Sequence, residues 1–422
     1  MPPFQPDNTV DQITSEIDLW GPIMQQTALL NEWDREFLPL ATIQDGGLIE
    51  FMAKGAEQLY MDLNESWLRF QVKLTLADGR AAAADVVGPI NLIAHSLFAQ
   101  VSAELNGKPV GEPNHLYPYR AYLETLINYS KETQKTRLLA EGWVKDSSGH
   151  MNEFDTAAGG GNAGLVARTG TFANSAVVEL IMRPHLDIFQ QDRLIPPGVD
   201  LHLKLIPSAA SFVCKSPAPQ ANNAQERFKP VITFAGLYIH TKQLTSEAEL
   251  AQRALFRERV MRLAYTRVQV KHMSIPTQQT FYNFDNLFTG NLPDLVVVGL
   301  VDDLDMAGGY QRNPFNFRPF GVDRIEMRRN GTPVPRLGYT PNFAGRRYMK
   351  DYITMQQQFG FSKATSASQL PPTSGRTATP STRSKSPTVP SGAALRARAR
   401  APPPAACDSR SASPRRRRTT SR

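Results

Sequence analysis

Alternation of apolar and polar residues is the most frequent pattern along this chain. Between Trp67 and Leu76, apolar side chains occupy every second position over eight residues. A period of two residues is typical of a half-buried β-strand. Similar, shorter runs predict strands at residues 48–52, 60–63, 176–182, 199–206, 231–240, 264–273, 280–284, 295–301 and 324–334. Residues 89–98 fit either a strand or a short helix.

Two segments change to the helical period. Residues 117–129 carry apolar side chains at helical spacing after Pro118, and proline suits the first turn of a helix. Ser246 and Glu249 have the spacing of a capping box, which predicts a helix over 247–259. The glycine-rich residues 146–170 predict a long flexible loop. Short strands with few helices favour an all-β jelly roll over a βαβ fold.

One pattern occurs twice, about 225 residues apart. Residues 88–110 and 313–334 both open with a proline followed two positions later by an asparagine, and both close with Asn-Gly-x-Pro-Val. The spacing from the proline to the turn is 17 residues in the first copy and 16 in the second. Asn-Gly predicts a type I′ hairpin turn, at Asn106 and again at Asn330. A repeat of this length predicts two tandem β domains rather than a solenoid.

Chain length and repeat together predict five parts. A chain of 422 residues exceeds what one hydrophobic core usually organises. We expect an N-terminal arm at 1–46, a first jelly-roll module at 47–207, a linker at 208–229, a second module at 230–361 and a tail at 362–422. The second module is expected to be incomplete, because its strand pattern stops much sooner after the Asn330 turn than that of the first module after Asn106.

The positive charge of the chain lies in the tail. The net charge is +8, but residues 362–422 hold 13 basic residues and one acid, so the tail carries +12 and the rest −4. With nine prolines and no aromatic residue, the tail is expected to be disordered. Its run of Arg415, Arg416, Arg417 and Arg418 is a candidate for DNA contact or nuclear import. A tail without a selected role is an equally weighted alternative.

Cysteine usage and the first residues of the chain indicate the cellular compartment in which the protein is expected. Only Cys214 and Cys407 are present, so no disulfide framework is expected and a reducing compartment fits. The first twelve residues lack the basic start and apolar core of a secretory signal, and no apolar run is long enough to span a membrane. We therefore expect a protein that is not secreted and does not act at a membrane.

Candidate catalytic and metal-binding groups are sparse. The seven histidines form no metal-binding motif, so no metal, cofactor or enzymatic activity is predicted. A solvated loop is favoured over a cation site for the acidic run Asp302, Asp303 and Asp305. A second cluster admits either acid–base chemistry or an ion-pair lattice at a subunit contact; it consists of Arg183, His185, Asp187, Asp192 and Arg193.

Several motifs, in order, resemble one known family. They lie at residues 88–91, 95–98, 105–108, 117–129, 178–180, 183, 185–187, 189–193, 198–200, 296–301 and 313–317. Across residues 33–352 the chain is similar to the double jelly-roll major capsid (hexon) protein of Polinton/Maverick elements and the related adintoviruses. This resemblance implies two eight-stranded jelly rolls per subunit, homotrimers, and icosahedral shells around double-stranded DNA. It also implies a penton as partner, a place in the virion and, within a host cell, in the cytoplasm or nucleus. It assigns no catalytic residue and no small-molecule substrate.

Two other classes of protein remain open on the sequence. A twin jelly-roll hydrolase that processes glycans would need a convergent acidic cluster between its barrels, and the sequence shows acids but no such set. A carbohydrate-binding module would normally carry a secretory signal. Trimers in solution would favour the capsid interpretation, whereas the other two classes allow monomers.

Overall fold

The computed structural model describes residues 27–217, 227–288 and 292–359, and the backbone of 382–383 and 393–399. The strands are β1 (Leu29–Phe37), β2 (Ile49–Ala53), β3 (Leu59–Leu76), β4 (Gly88–Pro89), β5 (Phe98–Leu105), β6 (Lys108–Val110), β7 (Val178–Met182), β8 (Leu201–Pro207), β9 (Cys214–Lys215), β10 (Phe228–Leu244), β11 (Phe281–Phe284), β12 (Leu295–Val296), β13 (Val322–Arg329), β14 (Thr332–Tyr339), β15 (Thr382–Arg383) and β16 (Ala393–Ala399). The α-helices are α1 (Ile93–Ser96), α2 (Tyr117–Asn128), α3 (Lys131–Lys135), α4 (Ala163–Thr171), α5 (Ala210–Val213), α6 (Ser246–Glu258), α7 (Asp303–Ala307) and α8 (Met349–Gln358). None of the described helices is long and apolar enough to cross a membrane.

Two four-stranded antiparallel sheets form a sandwich from strands within residues 29–244. Their strand orders are β1-β10-β3-β7 and β2-β8-β5-β6. Alternate residues of β3 are buried, as the sequence pattern predicts, and their side chains join one core with residues of the other sheet. The ring of Phe70 on β3, for example, packs 5.1 Å from that of Phe98 on β5. The strands predicted at 60–63 and 67–76 are one continuous strand.

Strand β10 belongs to this first sandwich. It pairs with β3 on one side and with β1 on the other, so the strand predicted to begin the second module is hydrogen-bonded to the first. Strand β1 likewise comes from the predicted N-terminal arm. Alternation identifies a strand but does not identify its partner. The remaining division of the chain into arm, modules, linker and tail stays a prediction.

Both Asn-Gly turns are type I′ hairpin turns. Asn106 and Gly107 have φ values of 48° and 73°, and they join β5 to β6. Asn330 and Gly331 have φ values of 48° and 79°, and they join β13 to β14. Positive φ at both central residues is the conformation that Asn-Gly tolerates and most other pairs do not. The prediction of two matching hairpins is confirmed.

The second region contains smaller sheets. One has the strand order β11-β16-β13-β14, and the other pairs β12 with β15. A cluster of six buried side chains lies beneath them, from Leu287, Val296, Val322, Ile325, Met327 and Tyr339. Strands β15 and β16 lie within residues 362–422, and the disorder expected for that tail stays a prediction. The rest of the tail lies outside the described residues.

The segment predicted as a strand at 264–273 has no strand pairing. Its backbone instead contacts side chains of the first sandwich: the N–H of Val268 donates to Asp187 Oδ1, and the carbonyl of Val270 accepts from Asn114. These side chains satisfy the backbone groups that a neighbouring strand would otherwise satisfy. Of the strand predicted at 295–301, only the two residues of β12 are paired as a strand.

Both predicted helices are present, whereas the predicted loop is partly helical. Helices α2 and α6 are confirmed, although the residue before α6 is Thr245 and makes no side-chain cap hydrogen bond. Residues 89–98 contain both a short strand, β4, and a short helix, α1. The predicted flexible loop at 146–170 ends in α4, which starts where the Asn162 side chain accepts a hydrogen bond from the N–H of Leu165. Asparagine at this position stabilises a helix start.

Candidate functional site at the junction helix

Helix α2 lies where the first sandwich meets the second region. It starts at Tyr117 with Pro118 in its first turn, where a missing N–H costs no helical hydrogen bond. Its residues Tyr119 and Tyr122 lie in an apolar cluster, whereas Tyr117 contacts a buried polar cluster. A helix buried between two such clusters fixes the position of one part of the chain relative to the other.

Aromatic rings from the second repeat fill the apolar side of this junction. The ring of Phe315 stacks on Tyr122 with centroids 4.2 Å apart and planes 8° from parallel. It also meets the edges of Tyr119 and Phe212. The cluster contains residues from both copies of the duplicated pattern; its buried members are Ile90, Leu92, Tyr119, Ala121, Tyr122, Leu138, Trp143, Phe315 and Phe317. The two repeats therefore pack against each other.

A buried ion pair joins the same two repeats through polar contacts. Arg168 on α4 donates from Nε to the carbonyl of Pro89 at 3.0 Å and pairs with Asp146 at 2.6 Å. The second carboxylate oxygen of Asp146 accepts from Asn313 at 3.4 Å. Arg168 and Asp146 are both buried, so removing one partner would leave an uncompensated charge. This chain of contacts couples Pro89 of the first copy to Asn313 of the second.

On its polar side, α2 contacts two buried histidines. Tyr117 OH lies 2.9 Å from His95 Nδ1 and accepts from the backbone N–H of His185. When the hydroxyl donates a hydrogen bond to Nδ1, the other ring nitrogen, Nε2, carries the ring hydrogen and donates it to Glu141 at 3.2 Å. Burial lowers the pKa of His95 and so favours this neutral form, although Glu141 acts in the opposite direction. Gly142, with φ of +75°, ends the turn that carries Glu141, and a Cβ there would collide with Ile93.

Three charged groups complete the polar cluster. Glu124 accepts from His185 Nδ1 at 2.5 Å and pairs with Arg120 at 2.9 Å, one helical turn away. Arg120 also pairs with Asp187 at 2.7 Å. Burial alone would raise the pKa of Glu124, but the His185 and Arg120 contacts outweigh it and lower the pKa to about 2. The carboxylate is therefore held ionised by its neighbours.

Lys215 is a buried lysine at the same junction. Its ammonium group donates to the carbonyls of Ser211 at 3.1 Å and Gly309 at 2.9 Å, and so joins the first sandwich to the segment before Asn313. Burial lowers the pKa of Lys215 to about 7. The charged form of Lys215 destabilises the folded chain, because no carboxylate in the described part of the chain is within ion-pair distance of it.

The residues of the predicted cluster around His185 contact different partners in the structure. His185 and Asp187 join the polar cluster under α2, whereas Arg183 donates to Asn64 and Arg193 donates to the carbonyl of Arg262. Asp192 is exposed. The five groups do not converge on one point, as acid–base chemistry would require.

The acidic run after the predicted strand 295–301 is not a solvated loop throughout. Asp302 begins α7 by accepting from the N–H of Leu304, and Asp305 is fully buried against Arg312 and Arg318. Two guanidinium groups thus occupy the place that a cation would take. Within the described ranges, no group of three or more His, Cys, Asp or Glu side chains is arranged to hold a metal ion.

Arg415, Arg416, Arg417 and Arg418 lie outside the described residues. Of the junction groups, only the Arg120 and Glu124 pair has a local signal, its spacing of four residues. Arg168 and Pro89 are 79 positions apart, and Asn313 and Asp146 are 167 apart. The sequence offered no signal for these long-range contacts.

Comparison with known proteins relates this architecture to viral coats. No protein-family model matches the chain. An uncharacterised protein of Caenorhabditis elegans, F54H12.2, is 23% identical over 329 residues, which cover 76% of this chain and 75% of that protein.

Solved structures similar to the chain come from viruses. The PBCV-1 virus capsid matches with a TM-score of 0.52 and 10% identity, over 90% of this chain and 86% of that one. The Sputnik virophage matches with a TM-score of 0.52 and 9% identity, over 92% and 86%. The Faustovirus major capsid protein matches with a TM-score of 0.51 and 11% identity, over 94% and 90%. At such identities the likeness establishes the fold, and this chain has the double jelly-roll fold of those proteins.

Proposed function

We propose that this chain is a major capsid protein, a structural subunit that builds a viral or virus-like shell. The observation that carries the proposal is the double jelly-roll fold, shared with viral coat proteins over most of both chains. The junction described above supports it, because its charged groups are buried in contacts within the chain rather than open to a substrate. A shell subunit needs rigid modules, and two modules locked through α2 meet that need.

The subunits are proposed to associate as homotrimers, with the two jelly rolls of each subunit side by side. Three subunits with two modules each give a near-hexagonal outline, which tiles a closed shell. Identical surfaces related by symmetry are the usual basis of such assemblies. A penton protein would close the shell at its vertices, the packaged double-stranded DNA would lie inside, and the host cell would hold the protein in its cytoplasm or nucleus.

The source is proposed to be a Polinton/Maverick element or an adintovirus. The motifs at residues 88–91, 117–129 and 313–317 support this narrower assignment, and all three have residues in the junction cluster. Because such elements integrate into host genomes, the protein would be encoded in an animal chromosome.

Oligomeric state tests the proposal directly. Size-exclusion chromatography with light scattering of the full chain should give a mass three times the chain's 46.8 kDa. Negative-stain images of that peak should show particles of hexagonal outline. A folded protein, verified by circular dichroism, that stays monomeric at high micromolar concentration would contradict the trimer.

The run of four consecutive arginines in the tail is proposed to contact packaged DNA. Replacing Arg415, Arg416, Arg417 and Arg418 with alanine should reduce the slope of log affinity against log salt by roughly 3 to 4, the value for loss of four phosphate contacts. Replacing all four with lysine is the matched control, because it keeps the charge. An unchanged slope in the alanine variant would exclude this role.

A further inference from the structure

Helix α6 exposes an apolar surface that no described residue covers. None of its residues is buried, and Leu250 is 68% exposed. Leu255 and Phe256 are 40% exposed each, and Val260 just after the helix is 85% exposed. Isolated exposed apolar residues are ordinary, but Leu255, Phe256 and Val260 line one cavity, and apolar residues grouped in this way mark a binding surface.

A cavity of about 540 Å³ lies beside this helix. Its lining combines apolar side chains with three arginines and no acid; it consists of Tyr60, Arg193, Leu194, Pro196, Leu244, Gln252, Leu255, Phe256, Arg259, Val260, Met261, Arg262 and Leu263. Within the described ranges, the guanidinium groups of Arg193, Arg259 and Arg262 form no ion pair. An apolar and basic groove fits an apolar and acidic ligand.

The described chain begins at the rim of this cavity. Leu29, the first residue of β1, pairs with Leu244, which lines the cavity. The carbonyl of Ala28 accepts from the N–H of Thr245 at 2.9 Å, directly before α6. Residues 1–26 therefore connect to the fold next to the groove, and seven residues of extended chain reach about 24 Å.

The composition of residues 1–26 complements the groove. They contain four acids, Asp7, Asp11, Glu16 and Asp18, and no lysine or arginine. The part nearest the fold adds the apolar residues Ile17, Leu19, Trp20, Ile23 and Met24. The segment is therefore both acidic and apolar, and these two properties complement the basic and apolar lining of the groove.

We propose that residues 16–26 bind in the α6 groove of their own chain. Apolar side chains of the segment would cover Leu255, Phe256 and Val260, while Glu16 and Asp18 would face Arg259 and Arg262. The short connection favours the same chain over a second copy, because the segment is already tethered beside the site and its effective concentration is high. This inference is independent of the capsid proposal, since a monomer would show it equally.

Hydrogen exchange of the full chain tests the apolar part of the contact. Changing Leu19→Ser, Trp20→Ser and Ile23→Ser together should speed amide exchange in α6 and residues 259–263 by roughly tenfold or more, because burial of even one such side chain is worth that factor. Leu38→Ser with Leu40→Ser is the control, since both side chains are about 60% exposed on another part of the chain. Equal exchange in all three proteins would overturn the proposal.

A charge exchange tests the ionic part. Arg259→Glu with Arg262→Glu should speed exchange in α6 in the same way, and adding Glu16→Arg with Asp18→Arg should restore protection. Arg257→Glu is the matched control, because it lies in the last turn of the same helix but does not line the cavity. Restoration also excludes misfolding as the cause. No rescue would overturn the assigned pairing, and protection that grows with protein concentration would assign the segment to a second copy.

Discussion

The two halves of this molecule share a hairpin signature but differ in the depth of their cores. Side chains such as Phe51, Phe70 and Leu203 in the first sandwich are completely buried between two four-stranded sheets. Every member of the second region's cluster keeps some exposure, and Val296 and Leu287 keep 7%. The same local pattern thus predicts the same turn but not the same amount of buried apolar surface, which is what stabilises a domain.

The second region compensates through its contacts with the first. Phe315 and Phe317, which precede β13 in the chain, pack in the junction cluster, and Asn313 contacts Asp146. Stability should therefore be unequal along the chain, highest in the first sandwich, intermediate at the junction and lowest in the second cluster.

Truncation in the two cores should show the largest difference. Phe70→Ala removes a fully buried ring that packs on Phe98, and it should lower the free energy of unfolding by about 3–5 kcal/mol. Met327→Ala in the second cluster should cost about 2 kcal/mol or less, because that site is shallower and can collapse. Urea denaturation followed by circular dichroism measures both. Equal losses would remove the contrast between the two cores.

Truncation at the junction should separate the halves without unfolding the first. Phe315→Ala removes the ring stacked on Tyr122, and it should cost about 3 kcal/mol. Hydrogen exchange should then rise in the second region while β3 stays protected. Phe320→Ala, at a ring that is 43% exposed, is the control and should change little. Simultaneous loss of protection in β3 would show that the halves unfold as one unit.

Acid should weaken the first sandwich through Glu124. The pKa of Glu124 is about 2 in the folded chain, against 4.5 without the fold, so the unfolded state takes up the proton first as pH falls. The contribution is complete above pH 4.5 and is lost progressively towards pH 2, with roughly 3 kcal/mol as its upper bound. Urea denaturation of wild type and Glu124→Gln across this range measures it. The glutamine variant should show a flatter profile, and identical slopes would contradict the assignment.

Replacing Lys215 should have the smallest effect on the free energy of unfolding, and it should raise that energy, whereas the truncations above lower it. Its pKa is about 7 when folded and 10.5 otherwise, so between these values the unfolded state holds more protons and stability rises with pH. Lys215→Met should stabilise the chain by about 1 kcal/mol at pH 7, after loss of the hydrogen bonds to Ser211 and Gly309 is included. Its stability should also vary less between pH 7 and 10. Destabilisation at pH 7 would show that those hydrogen bonds dominate.

The sequence predicted local structure where residues interact with near neighbours. The strand at 67–76, the helix after Pro118 and both Asn-Gly turns follow from short-range rules, and all are confirmed. The pairing of β10 with β3 was not predictable, because alternation carries no information about the partner strand. Neither was the burial of Asp305, whose neutralising Arg312 and Arg318 contact it only once the chain has folded.

The meeting of the two repeats at α2 bears on how a duplicated gene can diverge. Two copies that start out identical have the same groups available. Here Ile90 of one copy and Phe315 of the other enter the junction cluster, and Pro89 and Asn313 contact opposite members of the Arg168–Asp146 pair. The two copies therefore contribute different groups to one shared contact. Recombination that restored sequence identity between them would therefore remove the contact, so selection should keep the copies different.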